Sequence, residues 1–292
     1  MIKSPNFFCL GVQKGGTTTL HDILKKHPQI HLSKSKEAIF FSSEKRYMKG
    51  KEWWLNHFFS TYNNEPIIGA FTPDYLYFEK VPSRMAEVLG KDLKLIIILR
   101  HPVNRAYSHY IMSKRKGFET LSFLEAVETE SERVALGEFE QDNFSYFGRS
   151  YYVEQIERYF QFFSTENILF LCFEKDIVKN IDQTVLKIQE FLGVEPMKIN
   201  CDIKSNQATE MRSKIFHECL VKQSIVKSIL KKIIPQRTAH HIKEILLGMN
   251  QKKLLDNKRL DKKLKDKLYL KHFKSDTPKL ENLTGLNLSH WN

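Results

Sequence analysis

Short apolar runs alternate along this chain with stretches whose hydrophobic residues recur at helical spacing. Asn6-Phe7-Phe8-Cys9-Leu10-Gly11 is apolar on both faces and ends in Gly, the pattern of a buried parallel strand. After a Gly-rich turn, Leu20, Ile23 and Leu24 mark a helix, and Pro28 stops it just after His27. Residues 66–70 read as a weaker strand. Residues 93–99, β-branched and nearly all apolar, read as a strong one with Arg100 at its carboxyl end, and residues 167–173 as another. Helical patterns cover 104–116, 122–130, 149–163 and 180–192, the last closed by Gly193. Strands separated by helices predict βαβ crossovers, hence an α/β fold with a central parallel sheet flanked by helices in three layers. From about residue 210 the strand signal disappears. Lys-rich helical stretches, broken at Pro235 and Gly248, predict a helical C-terminal extension over about 210–292, completing a single domain of residues 1–292.

Composition narrows this picture. At 292 residues, 41% hydrophobic and 12% aromatic, the chain has enough apolar material for a sizeable core. It has no run of 18 apolar residues, and its first residues lack the apolar stretch of a secretory signal, so the expectation is a cytoplasmic protein. Cys9, Cys172, Cys201 and Cys219 lie far apart without a C-x-x-C pair; they read as structural thiols, and no metal is expected. Residues 215–274 carry 16 Lys/Arg against 5 Asp/Glu, so nearly all of the net charge of +12 belongs to the C-terminal third.

Two segments carry candidate phosphate chemistry. Gly11-Val12-Gln13-Lys14-Gly15-Gly16-Thr17-Thr18-Thr19 joins the first strand to the first helix. A Gly-rich turn there lets backbone N–H groups and a helix N-terminus approach a phosphate, and three threonine hydroxyls add donors. Gly11 and Gly16 have P-loop spacing, which gives the fold a P-loop-like character. Thr17, however, stands where the P-loop lysine belongs, and Lys14 precedes the glycine pair. That favours a metal-free grip on one 5′-phosphate over a metal–triphosphate site; a turn that binds nothing is the other reading. Arg100, at the end of the strongest strand, and Ser108, eight residues on, suit a second, terminal phosphate. Alternatively, Arg100 caps carbonyls and Ser108 faces solvent.

Lys14-Gly15-Gly16-Thr17-Thr18 resembles the 5′-phosphosulfate loop of sulfotransferases that use 3′-phosphoadenosine 5′-phosphosulfate (PAPS). The resemblance implies that Lys14 contacts the oxygen bridging sulfate and phosphate. Arg100-His101-Pro102 through Arg105 to Ser108 resembles the family's 3′-phosphate motif, with His101 where Asp is commoner. Lys36-Glu37-Ala38-Ile39-Phe40-Phe41 is similar to the K-E-x-x-F-F stretch of the heparan-type carbohydrate sulfotransferases and their bacterial relatives. In those enzymes the glutamate is the base; a surface pair of Glu37 with Lys34 or Lys36 is the alternative. Thr72-Pro73-Asp74-Tyr75 resembles a segment lining the acceptor cleft, though the Glu-Lys often found before it is replaced by Ala70-Phe71. Gly148 to Tyr152 resembles a G-x-Y motif near the nucleotide. Asn206 with Met211-Arg212-Ser213 is similar to a segment whose arginine nears the 3′-phosphate. Leu283 to Trp291 resembles the family's ending.

The resemblance therefore implies transfer of a sulfuryl group from PAPS to an acceptor hydroxyl or amine, on a carbohydrate or glycolipid, leaving 3′-phosphoadenosine 5′-phosphate. Catalysis would rest on Glu37 and Lys14. The nucleotide would be held by Lys14, Gly15, Gly16, Thr17, Thr18, Thr19, Arg100, Ser108, Tyr152 and Arg212, with no metal. Other classes fit less well. A nucleotide kinase would want the P-loop lysine and a magnesium-binding aspartate after a strand. A nucleic-acid binder has only the basic third in its favour, so no nucleic-acid partner is expected. Residues 222–234 form a basic amphipathic pattern suited to peripheral contact with a membrane, or to docking on the domain itself.

Overall fold

The computed structural model describes residues 2–202, 209–211, 251–253 and 260–291. Asn206, Arg212, Ser213, Cys219 and the amphipathic stretch 222–234 lie outside the described residues.

The described chain divides into two compact units. The first comprises residues 1–106, 146–203 and 261–292; the second comprises 107–145 and 204–260. The first unit holds a five-stranded, all-parallel sheet: β1 (Phe7–Gly11), β2 (Ile30–Leu32), β3 (Ile67–Phe71), β4 (Lys94–Leu99) and β5 (Ile168–Cys172), in the order β2-β3-β1-β4-β5. The strands alternate their side chains between two covered faces. Phe7 and Cys9 point to one face, where Ile96, Ile98 and Leu171 meet Leu20, Ile23 and Leu24 of α1 (Thr17–Leu24). Val185, Ile188 and Leu192 of α10 (Ile181–Leu192) join the same core. On the other face Phe8 packs against Phe41, Trp54 and Tyr75. The three layers read from the sequence are those observed.

The remaining elements differ from the sequence reading in instructive places. β2 has only three residues, too few for a pattern to show. Two helices escaped the periodicity: α3 (Gly50–Phe58), which buries only Trp54 and Phe58, and α4 (Val81–Leu89), which opens with Pro82. α2 (Glu44–Tyr47) is a single turn with no buried residue. Residues 102–115 form α5, and the 149–163 pattern resolves into a 3₁₀ turn at Gly148–Ser150 and then α9 (Tyr152–Phe160). Where helix alone was expected beyond 210, Thr209–Met211 and Gln251–Lys253 pair as antiparallel strands, β6 and β7. Three-residue strands leave no alternation to detect. Two helices do lie beyond them, α11 (Lys262–His272) and α12 (Thr277–Thr284). No helix among the described residues is long and apolar enough to cross a membrane.

The second unit contains the later part of α5 and three short helices, α6 (Phe123–Glu128), α7 (Glu130–Val134) and α8 (Glu138–Phe144). Ser122 and Glu125 form a reciprocal capping box that starts α6. The buried Glu119 carboxylate accepts from Arg133 Nη1 at 2.8 Å and from the Thr120 and Leu121 amides.

One glycine is fixed by packing. Gly69 of β3 lies beside Phe7 of β1, and a Cβ added there would collide with both the Phe7 ring and its carbonyl oxygen. Gly69→Ala should therefore lower unfolding stability by about 1–3 kcal/mol, measured by urea titration, because the strand backbone must move to admit one methyl group.

Candidate active site

β1 and β4 are neighbours, and the connections that leave their carboxyl ends run to opposite sides of the sheet. Such a divergence opens a crevice at the strand ends, the usual ligand position in an open α/β sheet. The Gly-rich loop and Arg100 both stand there.

The loop is fixed by short-range bonds. The Val12 amide donates to the Ile98 carbonyl at 2.9 Å, tying the loop to β4, and the Gly15 amide donates to the Val12 carbonyl at 2.8 Å. A Cβ on Gly15 would sit 2.9 Å from the Val12 carbonyl oxygen and 3.2 Å from that of Ile98, so only glycine permits this approach. Gly16, at φ 84°, precedes the first turn of α1, whose exposed amides belong to Thr17, Thr18 and Thr19; no acidic residue occupies that turn. Lys14 has φ 72°, a left-handed conformation that costs a non-glycine residue about 1–2 kcal/mol. Such strain persists where surrounding structure holds it, and it gathers at functional sites.

Arg100 binds this loop directly: its Nη1 donates to the Lys14 carbonyl at 2.7 Å, and its guanidinium lies 4.6 Å over the Phe173 ring. Its Nε is buried and has no hydrogen-bond partner among the described residues, and none of their carboxylates comes within ion-pair distance. Burial pulls its pKa below the ordinary value. The Glu174 carboxylate opposes that shift from beyond ion-pair distance. A partly desolvated guanidinium that forms no ion pair is suited to an anion. Tyr152 acts on the same residue from behind, its hydroxyl donating to the Arg100 carbonyl at 2.8 Å. Ser108 is half-buried on α5 and belongs to the second unit. Arg105, which the resemblance also contains, is fully buried, its Nε donating to Ser150 Oγ at 2.6 Å and its Nη2 to the Tyr146 carbonyl.

The candidate base lies close to the loop. Lys36 Nζ donates to Thr17 Oγ1 at 3.4 Å and stands 3.6 Å from Glu37 Oε1. One ammonium thus spans from the start of α1 to the Glu37 carboxylate. The surface pair weighed for Glu37 does form, but its partner is itself bonded to Thr17 at the start of α1.

Tyr75 explains why Glu37 is held there. The ring is wholly buried, and its hydroxyl donates to the Ala38 carbonyl at 2.8 Å while accepting from the Phe40 amide at 2.9 Å and the Phe41 amide at 3.3 Å. Trp54 Nε1 adds a bond to the Ala38 carbonyl. The Thr72-Pro73-Asp74-Tyr75 segment therefore braces residues 38–41, directly after Glu37, from inside, with Asp74 bound to Arg149 Nη1 at 2.6 Å.

The end of β4 has a further support that the sequence did not reveal. The His101 amide donates to Glu174 Oε1 at 2.9 Å, and the His101 ring bonds through Nε2 to the Trp291 carbonyl at 3.1 Å. Because that carbonyl only accepts, Nε2 carries the proton, and Nδ1 is buried with no hydrogen-bond partner among the described residues. Burial, reinforced by Lys265, lowers the His101 pKa to about 4. Histidine thus serves in the family motif's usual aspartate position as a neutral donor that latches the tail.

Known proteins share this arrangement of sequence and fold. The family described as "Sulfotransferase domain" matches residues 4–245. "Membrane-associated sulfotransferase kil1" of Dictyostelium discoideum is 40% identical over 111 residues, covering 37% of this chain and 23% of that protein. "Heparan sulfate glucosamine 3-O-sulfotransferase 5" of Mus musculus is 27% identical over 195 residues, 66% of this chain and 54% of its own. The matches span about a quarter and about half, respectively, of these curated relatives. A crystal structure of a sulfotransferase from Alicyclobacillus acidocaldarius superposes with a TM-score of 0.72 over 99% of both chains at 24% identity, a likeness of fold.

The braces predict two outcomes. Tyr75→Phe removes the acceptor of two buried amides and should lower unfolding stability by about 1–3 kcal/mol, with the urea m-value unchanged. For His101, the unfolded chain takes up a proton near the ordinary value of 6.5, whereas the folded chain resists protonation until about pH 4. Stability should therefore fall as pH drops from 6.5 to 4, by about 3 kcal/mol in total. His101→Gln should flatten that part of the urea-derived pH profile.

Proposed function

The chain belongs to the sulfotransferase domain family, and on that premise we propose that it transfers a sulfuryl group from PAPS to a hydroxyl of a carbohydrate acceptor. The observation that carries the reading is the short relay from Thr17 through Lys36 to Glu37, which brings a carboxylate to the N-terminus of the helix after the Gly-rich loop. The Arg100 site suits the same donor, since a half-buried guanidinium that forms no ion pair with a carboxylate keeps donors for a phosphate dianion. The printed names of the heparan sulfate relatives support a sugar hydroxyl as the acceptor.

Bound PAPS supplies an activated sulfuryl group whose leaving group is a phosphate. In the proposed mechanism, the α1 amides and the Thr17, Thr18 and Thr19 hydroxyls hold the 5′ end, with Gly15 and Gly16 letting the backbone close around it. Arg100 holds the 3′-phosphate, and Tyr152 fixes Arg100 through its carbonyl. Glu37 accepts the proton of the attacking hydroxyl, and Lys14 steadies the negative charge that builds on the departing oxygen. Lys36, 3.6 Å from Glu37 Oε1, or a C-terminal lysine stands in for the lysine that some relatives carry near the transferred group.

Calorimetry with 3′-phosphoadenosine 5′-phosphate in the absence of magnesium tests the nucleotide site. Wild type should bind, and Arg100→Ala should bind about 10- to 100-fold more weakly through loss of charged hydrogen bonds. Glu37→Gln should keep that affinity while turnover of a heparan-type oligosaccharide falls by about 10²- to 10⁴-fold. A wild-type protein that ignores the nucleotide would refute the donor assignment. Near-normal turnover in Glu37→Gln would remove Glu37 as base.

A further inference from the structure

A cluster of three ligand-type side chains stands at the carboxyl end of β5. Cys172 is the last residue of that strand and is 1% exposed. The chain then turns through a π-helical segment, Phe173–Ile177, which carries Glu174 back beside it. The third member, His290, comes from the tail, in the 3₁₀ turn Ser289–Trp291. Cys172 Sγ lies 3.4 Å from His290 Nε2 and 3.5 Å from Glu174 Oε2, and those two atoms are 3.9 Å apart.

These lengths form a coordination triangle. With metal–ligand bonds of about 2.3 Å to sulfur, 2.0 Å to imidazole nitrogen and 2.0–2.2 Å to carboxylate oxygen, the ligands of tetrahedral zinc stand about 3.3–3.6 Å from one another. Two of the observed edges fall in that range. The third closes with a few tenths of an ångström of movement in the partly exposed His290. The carboxylate is also oriented in advance. Its Oε1 accepts the His101 amide, so only Oε2 faces the thiol and the imidazole, and Trp291 Nε1 supports that oxygen from outside at 3.4 Å. Outer hydrogen bonds that aim a ligand in this way are the usual companions of a metal site. The adjacent Lys175 does not occupy the carboxylate: its ammonium donates to the Asn287 carbonyl at 2.7 Å.

We propose that Cys172 Sγ, Glu174 Oε2 and His290 Nε2 bind one zinc ion, with a water completing the tetrahedron on the exposed side. As the sulfur–zinc bond forms, the Cys172 S–H bond breaks and its proton passes to solvent; zinc stays divalent and no electrons are exchanged. The ion joins the end of β5 to a tail residue 118 positions away and holds the Trp291 carbonyl against His101. This site adjoins the proposed nucleotide site, because the Glu174 carboxylate also acts on Arg100 and holds the His101 amide, but its test needs no turnover.

The full chain is stripped of metal with a chelator and titrated with cobalt(II) under a non-thiol reductant. One equivalent should develop tetrahedral d–d absorption and a thiolate-to-cobalt charge-transfer band, both discharged by one equivalent of zinc. Cys172→Ser should lose the charge-transfer band. His290→Ala, a change at a surface position, should weaken binding at least about 100-fold. Zinc should raise the thermal midpoint of wild type but not of His290→Ala. No charge-transfer band in wild type would overturn the proposal and leave the three groups as a hydrogen-bonded cluster. A band unchanged in either variant would overturn it as well, by placing the metal elsewhere.

Discussion

Parallel pairing of β1 with β4 brings the Gly-rich loop and Arg100 from distant parts of the sequence to the same end of the sheet. The register runs Phe7 beside Lys94, Phe8 beside Leu95 and Cys9 beside Ile96, then shifts so that Gly11 lies beside Ile97. That shift inserts Leu10 as an extra residue, and an irregularity of this kind bends a strand end and re-aims the chain beyond it. Beyond it lies the loop that hydrogen-bonds back to the Ile98 carbonyl and offers its Lys14 carbonyl to Arg100. The glycines, the strained Lys14 backbone and the start of α1 all depend on that local agreement between two strands.

Around these strand ends the protein places buried polar groups that act on backbone. The Tyr75 hydroxyl ties together residues 38–41, and the Tyr152 hydroxyl holds the Arg100 carbonyl. Glu174 joins the end of β4, the end of β5 and the tail through one carboxylate. Each group satisfies donors or acceptors that would otherwise be left dry, which explains how such polar atoms sit inside an apolar shell at little net cost.

The sheet and the turn after its first strand were legible because they are local. Residues 93–99 announce a buried strand by composition, and Gly11 to Thr19 announces a Gly-rich turn into a helix by spacing. The braces were not legible, because their partners lie far off in sequence: 37 residues for Tyr75 and Ala38, and 190 for His101 and Trp291. The Trp291 tail and Thr72-Pro73-Asp74-Tyr75 segments could be matched to a family, yet the pattern did not say that one latches a histidine and the other supports a loop. Short elements such as β2, β6 and β7 were invisible for a different reason, since three residues cannot display a period.

The bracing of residues 38–41 also divides this part of the molecule into ground that tolerates variation and ground that does not. Ala38, Phe40 and Phe41 are enclosed by Tyr75 and Trp54, whereas Lys34 and Ser35, immediately before Lys36 and Glu37, are exposed to solvent. Side-chain diversity has room at 34, whereas Ser35 Oγ already donates to the Glu37 carbonyl at 3.3 Å, so changes at 35 reach the backbone that carries the carboxylate. The same diversity at 38–41 would be lost to misfolding before any selectivity could be scored.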